Sequence, residues 1–399
     1  MPTPVIPMGS TWRSCVIKTM AVAELVPANS NRSRETRFKL VCDPVGQHNQ
    51  RRGTGRFKSS RPDLSGSTVK PRLAQAVRDG YPAGMAEKYP EIEPYADGHL
   101  DVGDGHRVYW ETCGNPAGKP ALVLHGGPGS GCGPGLRRFF DPDRYRVVLF
   151  DQRGCGRSRP HASERAADLS ANTTEHLLGD IERLRAHLAV ERWLLFGGSW
   201  GCVLGLAYAE RHPERVTEIV MMGLATGRRS ETDLLTRGLG RVFPNAWASF
   251  RDHVPPEDRE GDLPTAYARL LANRDPAIHQ SAADAWCTWE DALEPSARGL
   301  MEENAAYRLA FARLVTHYWS HGSWLAEGQV LRDVGRLAEI PGVLVQGILD
   351  FGNLLGTPWE LAAAWPAAAL HLVDAAHETR SREMVERLVA ATDAFADRG

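Results

Sequence analysis

The chain has 399 residues, 42% of them hydrophobic and 24% charged, with a formal net charge of −2. That is an ordinary globular composition with ample apolar material for a large core, and the length suits one large domain carrying an insertion or two domains. No apolar stretch is long enough to span a bilayer and the N-terminus lacks the apolar centre of a secretory signal, so the chain reads as cytoplasmic; seven scattered cysteines without C-x-x-C spacing argue against a disulfide framework or a zinc site.

Residues 1–84 hold fourteen Lys/Arg against five Asp/Glu, leaving −11 on the rest of the chain. This basic leader is rich in Ser, Arg, Gly, Pro and Asn, has no sustained period, and reads as disordered. A basic tail could bind nucleic acid or act as a transit peptide. Met85 opens Met-Ala-Glu-Lys-Tyr-Pro, a natural start, and favours the plainer reading of an upstream extension without function.

Regular patterning begins near residue 98, and the first part of an α/β core is expected over 85–225. His99–Val102 and His106–Glu111 alternate about Gly103-Asp104-Gly105, which predicts an antiparallel hairpin. Ala121–Leu124 and Arg146–Phe150 are continuous apolar runs suited to strands buried on both faces. A helix is predicted over Thr174–Ala189, then strands at Trp193–Phe196 and Val216–Met222. Between 226 and 330 the strand signal disappears. Prolines 244, 255, 256, 264, 276 and 295 divide a Trp-, Ala-, Leu- and Arg-rich stretch into several short helices, a cap over the C-terminal edge of the sheet, where open α/β sheets place their ligands. The core resumes over 331–399 with strands at Val343–Gln346 and Ala369–Val373 and a helix over Arg382–Phe395. Strands alternating with helices predict a mostly parallel sheet.

Three segments carry chemistry. Gly197-Gly198-Ser199-Trp200-Gly201 follows the strand Trp193–Phe196 and precedes a helix-compatible run, the setting of a nucleophile elbow. A serine hydroxyl needs a base and the base an orienting carboxylate. In the order Ser, acid, His, the partners fall at strand ends: Asp350 after Val343–Gln346 and His377 after Ala369–Val373. Ser199 is thus the expected nucleophile, His377 the general base and acid, and Asp350 the orienting group. Asp374, three residues before His377, is a rival acid better suited to a turn, and His371 reads as structural. The oxyanion that develops in acyl transfer needs donors; the glycine-rich loop His125–Gly131 makes the Gly127 amide one candidate and the Trp200 amide the other. That loop lacks Gly-Lys-Ser/Thr and does not match G-x-G-x-x-G, and His106 in the hairpin and His317 and His321 in the cap have no further ligand beside them, so neither a nucleotide nor a metal is expected.

His-Gly-Gly-Pro-Gly (125–129), Asp-Gln-Arg-Gly-Cys-Gly-Arg-Ser (151–158) and Gly-Gly-Ser-Trp-Gly (197–201) together resemble the proline iminopeptidase family of α/β-hydrolases, with a likeness continuous from about Tyr89 onward. The resemblance implies an α/β-hydrolase fold with an inserted helical cap and a cofactor-free serine peptidase that removes N-terminal proline from small or short-peptide substrates, with no nucleic acid or membrane involved. It also implies that the cap supplies carboxylates for the substrate's ammonium. One is retained as Glu290 in Trp286-Cys287-Thr288-Trp289-Glu290.

Other positions depart from the pattern. Met222 stands where an arginine is usual, and Val315 in Leu314-Val315-Thr316-His317-Tyr318 stands where a second glutamate is usual. Joint loss is what removal of a charged pair should look like, since losing one member would strand the other at a cost of several kcal/mol. Asp350 sits in Gly-Ile-Leu-Asp-Phe-Gly-Asn and His377 in Ala-His-Glu, both unlike the usual family sequences. Two alternatives stay open: an esterase, amidase or acyltransferase acting on a less charged molecule, as in specialised metabolism, and a non-enzymatic receptor.

Overall fold

The computed structural model describes residues 87–294, 299–377 and 380–398; the leader and Glu378 lie outside the described residues. β1 (Pro94–Gly103) and β2 (His106–Gly114) form the expected hairpin, with Asp104 and Gly105 at φ of 56° and 75°, as a type I′ turn requires. β1 begins five residues before the alternating run at His99, since Pro94, Ala96 and Gly98 continue its inward face. β3 (Lys119–Leu124) and β4 (Tyr145–Phe150) follow, then α1 (Thr174–His187), β5 (Trp193–Gly198), α2 (Trp200–Arg211) and β6 (Val216–Met222).

After β6 the described chain is helical: α3 (Arg229–Thr236), α4 (Pro244–Asp252), α5 (Leu263–Leu271), α6 (Pro276–Leu293), α7 (Ala305–Ser320) and α8 (Gln329–Asp333). Pro244, Pro264 and Pro276 sit in first turns, so these breaks are helix starts, where a missing N–H costs nothing. Asp275 and Asn304 cap α6 and α7 by accepting the Ala277 and Tyr307 N–H groups, each at 2.9 Å. β7 (Gly342–Gly347), α9 (Thr357–Ala364), β8 (Ala368–Val373) and α10 (Arg382–Ala396) complete the described chain. Among the described residues no helix is long and apolar enough to cross a membrane.

The strands form one sheet in the order β1-β2-β4-β3-β5-β6-β7-β8, antiparallel at β1–β2–β4 and parallel elsewhere. Side-chain alternation sorts the core into two layers. Leu122, Leu124, Leu195, Ile219 and Leu344 pack against Leu177, Ile181 and Leu184 of α1 and Leu204 of α2. Ala121, Val123, Phe196, Val220 and Val345 pack against Met384, Leu388 and Phe395 of α10. The helices after β6 have their own cluster, including Phe250, Tyr267, Trp286, Trp289 and Val315. The chain leaves β3 for β4 on one side and crosses back to β5 on the other. The crevice beyond the C-terminal ends of β3 and β5 is therefore the switch point at which such sheets bind ligands.

Candidate active site

Ser199 lies in that crevice, between the end of β5 and the first residue of α2. Its φ of 55° and ψ of −121° are strained for a residue with a side chain, and its N–H is held by the carbonyls of Met222 and Gly223, both at 3.1 Å. The flanking glycines have a steric cause. A Cβ on Gly197 would lie 2.8 Å from the Gly201 carbonyl oxygen, and one on Gly201 would collide with the carbonyl of Leu124. Only glycine lets the elbow close against β3.

The loop after β3 runs along the elbow. A Cβ on Gly126 would stand 3.5 Å from Cβ of Ser199, and Gly127, at φ 109°, lines the same cavity as Ser199. Trp200 is the first residue of α2, so its amide is among those a helix leaves unpaired at its positive end. A buried network fixes the two segments together: the Gln152 N–H donates to Nε2 of His125 at 3.1 Å, and the Trp200 indole N–H donates to Oε1 of Gln152 at 2.9 Å. With Nε2 accepting, Nδ1 of His125 donates to the Gly126 carbonyl at 2.9 Å, and burial keeps this ring's pKa below the ordinary imidazole value. His125 thus shapes the loop.

His377 Nδ1 is 2.7 Å from Oδ2 of Asp350, whose Oδ1 accepts the Gly352 N–H at 2.8 Å. Asp350 also caps the short turn Phe351–Leu355. The Asp350 carboxylate is the main influence raising His377 above the ordinary imidazole value, against the opposing effect of burial. Burial pushes Asp350 upward, but the His377 charge and its hydrogen bonds outweigh it and hold the carboxyl below the usual range. The His377 ring lies over Gly223: a Cβ there would be 2.9 Å from Cε1. Gly223 also accepts the Ser199 N–H, so Ser199 and His377 rest on the same backbone. Asp374 is exposed, at a bend after β8, and its N–H donates to Glu383 at 2.9 Å.

A cavity of about 330 Å³ joins Ser199, Asp350, His377 and Glu290. Its other walls are mostly apolar, among them Leu235, Phe243, Trp289, Trp319 and Phe351. Glu290 projects from α6 and accepts the Trp286 indole N–H at 2.9 Å; burial pushes its pKa up to about 7, against that hydrogen bond and the nearby His377. Glu231 also borders the cavity, but its carboxylate accepts the N–H groups of Thr226 and Gly227 and the Thr357 hydroxyl, ordering the chain after β6.

The two departures from the family pattern fall elsewhere. Val315 is fully buried in the apolar cluster of the helices after β6 and does not line this cavity. Met222 packs in the α10 layer and lines a second cavity, of about 320 Å³, on another side of Ser199 and His377. Glu294, one turn beyond Glu290, is the residue that sequence reasoning missed. It lines the first cavity, and its Oε2 accepts the backbone N–H of His377 at 3.1 Å. The i, i+4 spacing from Glu290 was the available signal.

The motif Asp-Gln-Arg-Gly-Cys-Gly-Arg-Ser builds the scaffold beneath the site. Arg157 bridges Asp151 (2.7 Å) and Glu111 (2.8 Å), and Glu111 also pairs with Arg137. Arg153 makes a two-pronged pair with Asp180, at 2.7 and 2.8 Å, with both side chains fully buried.

The sequence model of the family described as "alpha/beta hydrolase fold" matches residues 119–379. A Streptomyces coelicolor protein named "Probable proline iminopeptidase" is 56% identical over 317 residues, covering 78% of this chain and 98% of its own. A proline iminopeptidase of Xylella fastidiosa is 46% identical over 318 residues, covering 78% and 100%. That of Arabidopsis thaliana is 42% identical over 337 residues, covering 83% and 86%.

Proposed function

The chain belongs to the proline iminopeptidase family of α/β-hydrolases, and from that premise we propose that it is a serine hydrolase releasing an N-terminal proline, or a similar residue, through an acyl-enzyme. The observation carrying this reading is the single cavity shared by Ser199, His377, Asp350 and Glu290.

In the proposed reaction His377 Nε2 takes the Ser199 hydroxyl proton as Oγ attacks the scissile carbonyl carbon. The Gly127 and Trp200 amides receive the negative charge that moves to the carbonyl oxygen, where each fixed donor is worth about 3 kcal/mol. His377 then gives its proton to the leaving amine, and water, activated by the same ring, hydrolyses the ester. Asp350 holds Nδ1 as the donor side of the ring and stabilises the imidazolium. Glu290 binds the substrate's ammonium, a charge-assisted contact worth about 1.5–3 kcal/mol, or roughly ten- to a hundred-fold in affinity. The proposed domains are those read from the sequence: core over 85–225 and 331–399, cap over 226–330. The proposed setting is the cytoplasm, and the proposed substrates are short peptides or small molecules rather than nucleic acid or membrane.

Glu290→Gln tests the amine contact. KM for proline β-naphthylamide should rise about tenfold or more while KM for a p-nitrophenyl ester stays unchanged. An unchanged KM for the amide would remove Glu290 from this role.

A further inference from the structure

The base has a second carboxylate partner besides Asp350. His377 lies in the loop after β8, and its ring is fixed at Nδ1 by Asp350, from the loop after β7. Its backbone is fixed separately: the N–H donates to Oε2 of Glu294 at 3.1 Å. Glu294 is the cap residue just beyond α6, an 18-residue helix that carries Glu290 on the cavity wall, and its N–H donates to the Glu290 carbonyl. One rigid helix turn thus joins the proposed amine-binding group to the backbone that aims the base.

We propose that Glu294 is a positioning residue for catalysis, locking the His377 main chain to α6 so that the imidazole is presented correctly only when α6 is seated over the site. The proposal rests on the reading of His377 as base. A carboxylate accepting a backbone N–H is a charge-assisted bond, and a donor in a partly covered site that loses its acceptor lets the loop relax. Misplacing a base by a fraction of an ångström lowers kcat more than it changes ground-state binding. The charge acts in addition to the bond. The charged groups facing His377 are Asp350 from the loop after β7, Glu290 and Glu294 from α6, and Arg380 across the second cavity. Asp350 dominates, with Glu294 ahead of Glu290 among the smaller influences that favour the protonated ring.

Two variants separate bond from charge. Glu294→Gln keeps an oxygen acceptor and removes the charge; Glu294→Ala removes both. Each is assayed with proline β-naphthylamide across pH, and Ser199 reactivity is read independently as the rate of labelling by a fluorophosphonate. Thermal unfolding checks that both variants are folded. The expected result is that Glu294→Ala lowers kcat and the labelling rate about tenfold or more, with KM changed less than threefold. Glu294→Gln should recover most of that loss while its acid limb moves to lower pH. Wild-type kcat and labelling in folded Glu294→Ala, or a loss that Glu294→Gln does not relieve, would overturn the proposal. If the wild-type protein does not cleave the proline substrate, the peptidase reading fails; the labelling rates still decide the role of Glu294.

Discussion

Nδ1 of His377 and Oδ2 of Asp350 are 2.7 Å apart, and the other Asp350 oxygen is occupied by the Gly352 N–H. The carboxylate therefore cannot rotate away without breaking a second bond. Asp350→Asn would put an amide beside Nδ1 and favour the wrong tautomer. The expected loss in kcat is about 10³- to 10⁴-fold, read by steady-state kinetics with KM little changed.

The direction of the His377 shift sets the acid limb of activity. A protonated ring cannot accept the Ser199 proton, and the Asp350 carboxylate raises the pKa of that ring above its ordinary 6.5. Activity should be lost as pH falls through this raised value, so the apparent pKa in kcat/KM is expected above 6.5. Asp350→Asn removes the negative charge, and the residual activity should show its acid limb at lower pH. A pH–rate series on both proteins measures this.

Glu290 titrates beside His377, and each charge shifts the other. Burial brings its pKa to about 7, so it is largely neutral below that pH and ionised above it. Affinity for a substrate ammonium should then strengthen as pH rises through about 7. KM for an aminoacyl β-naphthylamide should fall across this range, while KM for an ester lacking an amine stays flat. Glu290→Gln should abolish the difference.

The Arg153–Asp180 pair is fully buried, and Arg153 also bonds the carbonyls of Val102 and Ala171. Arg153→Met leaves the buried Asp180 with only the half-exposed Arg183, 3.5 Å away, in place of its two-pronged partner, and breaking a buried pair in this way costs about 3–5 kcal/mol. Urea unfolding should report a loss of that size. A double variant with Asp180→Leu should recover much of it, because both charges are then gone.

Much of the architecture was legible because the determining patterns are local. The alternation in Ala121–Leu124 assigns neighbouring side chains to opposite layers, and turn glycines mark the hairpin and the elbow. The order Ser199, Asp350, His377 at strand ends is the local signal for the proposed constellation. What stayed hidden depends on contacts between distant segments. The Glu294–His377 bond spans 83 positions and leaves no periodic trace. That Val315 stands where a second glutamate is usual is read from a motif, but the face to which α7 turns it, an apolar cluster, is set by packing. In Asp-Gln-Arg-Gly-Cys-Gly-Arg-Ser, only the fold shows that the two arginines pair with Asp151, Glu111 and Asp180 rather than with a ligand.

The most direct test is hydrolysis of a panel of aminoacyl β-naphthylamides beside p-nitrophenyl esters, with Ser199→Ala as the control. The expected result is cleavage that prefers the proline substrate and disappears in Ser199→Ala. Proline cleavage that survives Ser199→Ala would contradict the serine mechanism, and ester turnover without any proline cleavage would contradict the peptidase assignment.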